Sequence, residues 1–221
     1  MNSSSIAVSA APQPSLLVAS EVNLTSLVMD EKRQVILVTA SSARAGTTRS
    51  VASLTLQLAA AVAGRVLILD TSSSPNNLSN SEGAGRIPGL VDLLAHGVDE
   101  VDPADLVVRL NAPKGNVDLL PLGRGGLTGA LEIAELNKLF AKLKRLYRFI
   151  IVDSDSVYEG DSTLMLAAIA DATVLVVTAE AQRWEVAQAT VNRLTQAGAQ
   201  LIGAIFNRRR YYMPRWIYER L

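Results

Sequence analysis

The chain contains no cysteine and only one histidine, His96, among its 221 residues. The lack of cysteine excludes a disulfide framework, a thiolate metal site and a cysteine nucleophile. A single histidine excludes any chemistry that needs two. Basic and acidic residues balance at 21 each, so no overall electric field would recruit nucleic acid or an acidic partner. No apolar run approaches the roughly 20 residues of a membrane-spanning helix. Because residues 1–20 also lack the basic start of a secretory signal, we expect a soluble cytoplasmic protein.

Short apolar runs alternate with segments of helical pattern between residues 31 and 207. Strands are predicted at 35–40, 66–70, 117–121, 149–153, 173–178 and 201–207. Helices are predicted at 48–63, 89–96, 131–146 and 184–196, with a polar loop at 75–88. This alternation indicates an α/β fold, in which a mostly parallel sheet carries helices on both faces in three layers. Residues 1–30 are expected to form a flexible leader and residues 208–221 a basic, aromatic C-terminal tail.

The loop after the first predicted strand lacks the lysine that its pattern calls for. A phosphate-binding loop reads G-x-x-x-x-G-K-[ST] and opens a helix. In the segment Ala45-Gly46-Thr47-Thr48, Gly46 and Thr48 match the second glycine and the magnesium-binding hydroxyl, whereas Thr47 stands in place of the lysine. The loop therefore has the architecture of a nucleotide site without the main positive charge of such a site.

Polar side chains follow three other predicted strands, at Asp70, Asp153 and Asn207. Ligands of parallel sheets bind beyond the carboxyl ends of the strands. We therefore expect these three residues and Gly46 to converge on one edge of the sheet.

Several motifs follow one another in a recognisable order between about residues 30 and 210. They are Val38-Thr-Ala-Ser-Ser-Ala-Arg-Ala-Gly-Thr-Thr48, Arg65-Val-Leu-Ile-Leu-Asp70, Gly89-Leu-Val-Asp-Leu-Leu94, Val117-Asp-Leu-Leu-Pro-Leu-Gly123, Phe149-Ile-Ile-Val-Asp153 and Gly203-Ala-Ile-Phe-Asn207. In this order the chain resembles the cytoplasmic bacterial tyrosine kinases of capsule and exopolysaccharide assembly (CpsD/CapB type), relatives of the MinD/ParA-type P-loop ATPases. The resemblance implies a P-loop NTPase-like domain over residues 31–207.

The resemblance also implies roles for individual residues. Asp70 and Asp153 would be catalytic carboxylates and, with Thr48, ligands of Mg²⁺. ATP or ADP would be bound by Arg44, Gly46, Thr47, Thr48 and Asn207, with Asn207 at the base. Asp70, Asp153 and Asn207 each have a structural alternative as strand-end or turn residues.

The chain departs from the family pattern at several positions, among them the end of the fourth predicted strand, where the family's Asp-Thr-Pro-Pro appears as Asp153-Ser-Asp-Ser156. The family's Gly-Glu-Gly-Lys-Ser appears as Arg44-Ala-Gly-Thr-Thr48, so a glycine and the lysine are replaced. Ser42 replaces the signature lysine of the MinD/ParA relatives, and Ser72 replaces the second carboxylate of Asp-x-Asp. A charge-assisted hydrogen bond is about twice as strong as a neutral one, and Arg44 disfavours the positive φ that glycine permits. These departures predict weak binding of nucleotide and Mg²⁺ and a degenerate phosphate-binding loop.

Three functions are open at this point. The first is a catalytically impaired, kinase-like regulatory partner in exopolysaccharide or capsule biosynthesis and export, bound to the cytoplasmic end of a membrane polysaccharide co-polymerase and so peripheral to the inner membrane. The second is an active ATP-dependent tyrosine autokinase that uses Arg44 as a phosphate clamp. The third is a MinD/ParA-like positioning switch, against which Ser42 argues. Homo-oligomers are compatible with each.

The tail contains Tyr211, Tyr212 and Tyr218, which the resemblance makes candidates for phosphorylation. Its arginines and aromatic residues also suit an anionic membrane surface, a partner protein, or packing on the domain itself. Nucleic acid is not favoured, because nothing else on the chain is basic. Within the domain, Trp184, Val186, Val191 and Leu194 are expected to pack in the core.

Overall fold

The computed structural model describes residues 33–125, 127, 132–179 and 183–207. Its strands are β1 (Val35–Ala40), β2 (Arg65–Asp70), β3 (Val108–Leu110), β4 (Asn116–Leu120), β5 (Phe149–Ser156), β6 (Ala172–Thr178) and β7 (Leu201–Asn207). Its helices are α1 (Thr47–Ala61), α2 (Leu78–Ser81), α3 (Leu90–His96), α4 (Ile133–Leu143), α5 (Asp161–Ile169) and α6 (Trp184–Gln196), with a 3₁₀ turn at Pro103–Leu106. The predicted leader and tail, including Tyr211, Tyr212 and Tyr218, lie outside the described residues.

The strands form one sheet of seven in the order β3-β4-β2-β5-β1-β6-β7. Every neighbouring pair is parallel except β3 and β4, which are antiparallel. Strand β1 lies between β5 and β6 and is buried along its whole length, which explains its continuous apolar sequence. The predicted α/β fold with a mostly parallel sheet is confirmed.

Helices cover both faces of the sheet. On one face, α1 packs through Val51, Leu54 and Leu58 in a cluster that also contains Leu78 of α2. On the other face, helices α3 to α6 contribute to a second cluster, which includes Leu93, Leu139, Leu166 and Leu194. Helix α1, which directly follows the loop after β1, therefore packs against one face of the sheet.

Four elements were not predicted. The polar segment 75–88 contains the short helix α2, and the chain also forms the 3₁₀ turn, β3 and α5. The sequence signal of β3 is weak because the strand has three residues and lies at the sheet edge. Strand β5 continues to Ser156, beyond its predicted end at Asp153, and still pairs with β1 there, with Ala40 opposite Ser156. The Thr39 hydroxyl adds a hydrogen bond to the carbonyl of Asp155 at 2.8 Å.

Two side chains predicted to be in the core are exposed. Trp184 is 74% exposed and Val186 37%, so this part of the prediction is wrong. Helix α6 buries Thr190 and Leu194 and packs Val191 against the core. Among the described residues, no helix is both long and apolar enough to cross a membrane.

Candidate functional site

The loop between β1 and α1 is bent by two residues with positive φ. Gly46 has φ 94° and Arg44 has φ 58°. A non-glycine residue in this region costs about 1–2 kcal/mol. The sequence therefore disfavoured a positive φ at Arg44, but the folded loop adopts it. The loop therefore forms its bend despite the lost glycine.

Asn207, at the end of β7, fastens this loop to the sheet. Its side-chain Nδ2 donates to the carbonyl of Ala45 at 2.7 Å. A Cβ atom on Gly46 would lie 2.1 Å from that same Nδ2. Glycine is thus required here by both its φ and the close approach of Asn207. The expected contact of Asn207 with a nucleotide base stays a prediction, while its contact with the loop is structural.

Helix α1 begins at Thr47 with its N-terminus at the loop. It has no acidic residue in its first turn, and the first N–H groups of a helix have no partners within the helix. Such an end favours an anion. The side chains of Thr47 and Thr48 are half-buried, and those of Arg44 and Arg49 are exposed. The cradle for a phosphate is present, with Thr47 where a lysine would otherwise stand.

The carboxylate of Asp70 is buried and engaged by the backbone around it. Its Oδ1 accepts a hydrogen bond from the Ser72 N–H at 3.0 Å. Its Oδ2 accepts bonds from the N–H and hydroxyl of Ser79, at 2.7 and 2.5 Å. Burial raises the pKa of Asp70, and the Ser79 bonds oppose this rise. Asp70 therefore holds α2 and the 72–77 loop in place, which is the structural alternative given above, and its role as a metal ligand stays a prediction.

Asp153 lies beside Asp70, in register on the adjacent strand β5. It is completely buried, and neither carboxylate oxygen accepts a hydrogen bond of ordinary geometry. Burial raises the pKa of Asp153 well above its usual value, the charge of Asp70 adds to the rise, and the nearby Thr48 side chain opposes it. A buried polar atom without a partner is costly, so these oxygens mark a place where a cation or donor would be stabilised.

Asp155 is the site residue that the sequence analysis missed. The extension of β5 carries it to the cavity, and side chains two residues apart on a strand share a face. Its Oδ1 accepts from the Ser72 hydroxyl at 2.6 Å. Its Oδ2 accepts from the N–H and hydroxyl of Ser73 at 2.9 and 2.6 Å. The alternation in Asp153-Ser154-Asp155 was the available signal, since it places both carboxylates on one side of the strand.

The loop, α1 and the ends of β2 and β5 enclose an open cavity of about 1120 Å³. It is lined by Arg44, Gly46, Thr47 and Thr48 on one side and by Ser72, Ser73, Asp155 and Glu159 on the other. Asp70 and Asp153 are fully buried and lie behind these residues. The predicted convergence of Gly46, Asp70, Asp153 and Asn207 on one edge of the sheet is confirmed. Of the three aspartates at the ends of β2 and β5, Asp155 is the one that lines the cavity.

The site residues fit a magnesium ion that arrives with a phosphate. Mg²⁺ prefers oxygen ligands, retains several waters and uses one or two carboxylates together with phosphate oxygens. The partnerless oxygens of Asp153 and the Thr48 hydroxyl supply such donors. Within the described part of the chain, no three carboxylate or imidazole groups converge closely enough to hold a metal ion. The donor set is therefore incomplete without waters or phosphate.

Comparison with known proteins agrees with this fold. No family model matches the chain. The tyrosine-protein kinase CpsD of Streptococcus agalactiae is 26% identical over 172 residues, which cover 76% of this chain and 73% of CpsD. The crystal structure of the VpsO kinase domain superposes with a TM-score of 0.69 at 24% identity, covering 84% of this chain and 90% of that one. The MinC:MinD cell division complex of Aquifex aeolicus gives 0.60 at 21% identity, covering 77% and 67%.

These likenesses first define a class: the chain has the P-loop NTPase-like α/β fold shared by bacterial tyrosine kinase domains and MinD/ParA-like proteins. More particularly, it is homologous to the CpsD tyrosine-protein kinase. The resemblance inferred from the ordered motifs is thereby confirmed.

Proposed function

We propose that this protein is a kinase-like P-loop protein of bacterial capsule or exopolysaccharide biosynthesis and export, and that it acts as a regulatory partner and not as an efficient kinase. The observation that carries the proposal is the first turn of α1. The loop bend, the helix N-terminus and the Thr48 hydroxyl are all formed, yet Thr47 occupies the position of the charged residue. The homology to a tyrosine-protein kinase supports the pathway.

The electrostatics of the cavity support weak binding and slow turnover. Catalysis of phosphoryl transfer depends on positioning and on neutralising the negative charge of the phosphates. Asp155 and Glu159 line the cavity, with Asp153 buried behind them. Arg44 and Arg49 are the basic side chains that line it in the described part of the chain. A hydrogen bond to a charged group is worth about 1.5–3 kcal/mol, so the loss of the lysine lowers affinity about 10- to 100-fold.

In a regulatory role the protein would bind its partner through the kinase-like fold and would not need to transfer phosphate. The partner would be the cytoplasmic end of a membrane polysaccharide co-polymerase, which would place the protein at the inner membrane face, with homo-oligomers as a further state. In this role the protein would be cytoplasmic.

A second candidate, an active tyrosine autokinase, is favoured by the position of Arg44. This residue lines the cavity with a positive φ, a strained conformation that is often found at functional sites. A guanidinium group binds phosphate oxygens through two parallel hydrogen bonds, so Arg44 is the residue that would replace the lysine in this alternative.

The experiment is isothermal titration calorimetry of the full chain with Mg-ATP, combined with a hydrolysis assay on the same sample. The proposal expects no micromolar binding and no turnover above the level without protein. Micromolar binding with hydrolysis would refute it. Phosphotyrosine on Tyr211, Tyr212 or Tyr218 after incubation with Mg-ATP, lost in Asp153→Ala, would establish the autokinase instead.

A further inference from the structure

Three aspartate side chains lie at the ends of β2 and β5, and their carboxylate oxygens differ in how many hydrogen bonds they already accept. Both oxygens of Asp70 are used by Ser72 and Ser79. Both oxygens of Asp153 are buried and without a hydrogen bond. Asp155 lines the cavity, and its two oxygens accept three hydrogen bonds.

We propose that Asp155 is a cation-positioning residue, whose carboxylate holds a hydrated divalent cation in the cavity in front of Asp153 and the Thr48 hydroxyl. This inference rests on the proposed nucleotide site. In the resembling family a second carboxylate follows β2, at the position of Ser72. We assign the role of that carboxylate to Asp155 on β5. In this arrangement Ser72 is the hydrogen-bond donor that orients the replacement.

The hydrogen bonds of Asp155 leave room for such a contact. An ionised carboxylate offers about four acceptor positions. Oδ1 receives one bond, from the Ser72 hydroxyl, and Oδ2 receives two, from Ser73. One position on Oδ1 therefore remains, and the three bonds fix the carboxylate plane while the cavity lies in front of it.

Asp153 is an independent observation that points to the same cation. It is fully buried, its oxygens accept no hydrogen bond of ordinary geometry from the described residues, and the charges of Asp70 and Asp155 both act on it. The Thr48 side chain, at the start of α1, acts on Asp153 in the opposite direction and favours its charged form. A divalent ion between these groups would stabilise the buried carboxylate more fully than the Thr48 side chain does.

The donor chemistry selects the class of ion. The site offers carboxylate and hydroxyl oxygens, and the chain has no cysteine. Hard cations such as Mg²⁺ and Mn²⁺ prefer oxygen ligands of this kind. Since no three carboxylate or imidazole groups enclose a metal among the described residues, the ion retains waters and phosphate oxygens complete its shell.

The competing explanation is that Asp155 only fastens the turn at Ser72 and Ser73. Asp155→Asn separates the two roles. The amide oxygen can still accept from Ser73, and the Ser72 hydroxyl can rotate to accept from the amide N–H group. The turn is retained, whereas the negative charge is lost.

The test is a titration of the full chain with Mn²⁺, with and without ADP. Electron paramagnetic resonance measures the concentration of free Mn²⁺ at each step and so gives the Kd. The wild type is expected to bind one Mn²⁺ more tightly with ADP than without it. Asp155→Asn is expected to weaken binding about 10- to 100-fold, the usual cost of removing a group that orients metal ligands. The double variant Ser72→Asp with Asp155→Ser returns the carboxylate to position 72 and is expected to recover most of the affinity.

Asp105→Asn, at an exposed position on the 3₁₀ turn, is the matched control and should bind Mn²⁺ like the wild type. Circular dichroism of each variant checks folding. The inference is overturned if the wild type binds no Mn²⁺, or if folded Asp155→Asn binds it as the wild type does. Efficient ATP hydrolysis would refute the proposed function and leave these Mn²⁺ results unaffected, so the two failures are distinguishable.

Discussion

Restoring the missing charge by Thr47→Lys is expected to increase the affinity for Mg-ATP. Thr47 is the first residue of α1, directly after Gly46 at φ 94°. The cradle around it is already formed, because Asn207 holds the loop through Ala45. The substitution therefore changes charge at a site whose backbone is in place.

The magnitude follows from the exchange of a neutral donor for a cationic one. A hydrogen bond to a charged group contributes about 1.5–3 kcal/mol, which corresponds to about a 10- to 100-fold lower Kd. Without a ligand, the lysine lies at the positive end of a helix dipole and costs about 0.3–1 kcal/mol. For a domain of this size, about 2–4 °C of Tm corresponds to each kcal/mol, so the ligand-free Tm should fall by about 1–4 °C.

The assay is calorimetric titration with Mg-ATP, repeated at high salt, together with a thermal melt with and without ligand. Thr47→Gln is the control, because it has a long polar side chain and no charge. Salt should reduce the gain of the lysine variant more than that of the control, since a partly exposed charge is screened. The reasoning is refuted if Thr47→Lys binds no more tightly than Thr47→Gln.

Two further predictions concern stability. Gly46→Ala should destabilise the fold more than Gly198→Ala in urea unfolding, because both have φ near 90° but only Gly46 would place a Cβ against Asn207, at 2.1 Å. Equal losses would show that Asn207 moves freely. Asp153→Asn should alter the pH dependence of Tm. Since burial and the charge of Asp70 raise the pKa of Asp153, the folded state holds this proton to higher pH than the unfolded chain. The contribution of Asp153 to the stability of the wild type therefore falls as pH rises above about 4, and the variant should lack this fall. A difference in Tm that does not change between pH 4 and 8 would contradict the assignment.

The strands of the sheet were predictable because a strand covered on both faces needs a continuous apolar sequence. Strand β7 was predicted with its observed bounds, Leu201–Asn207, and β1 likewise, Val35–Ala40. Helix α5 was missed because its sequence, from Asp161 to Ile169, has little periodic contrast between apolar and polar residues. Continuous apolar runs therefore predict buried strands, whereas a helix without a distinct polar face is hard to predict from its sequence.

The exposure of Trp184 shows a second limit. An aromatic residue at the start of an apolar helix pattern is usually buried, and the sequence gives no measure of where a neighbouring element ends. Trp184 is 74% exposed although it starts a helix whose Leu194 lies in the core. Whether an apolar side chain is covered depends on residues distant in the chain.

Sequence alone was enough to predict six of the seven described strands, four of the six described helices, the loop that opens α1 and the absence of a lysine from that loop. These are local properties, set by apolar runs and by the residue types at fixed spacing. Which aspartate of β2 and β5 lines the cavity was set only when the chain folded. Asp70 is occupied by Ser72 and Ser79, Asp153 is buried without a partner, and Asp155 reaches the cavity. The physical reason is that hydrogen-bond partners come from strands and loops far apart in sequence, so the free oxygens of a side chain are known only once the sheet has formed.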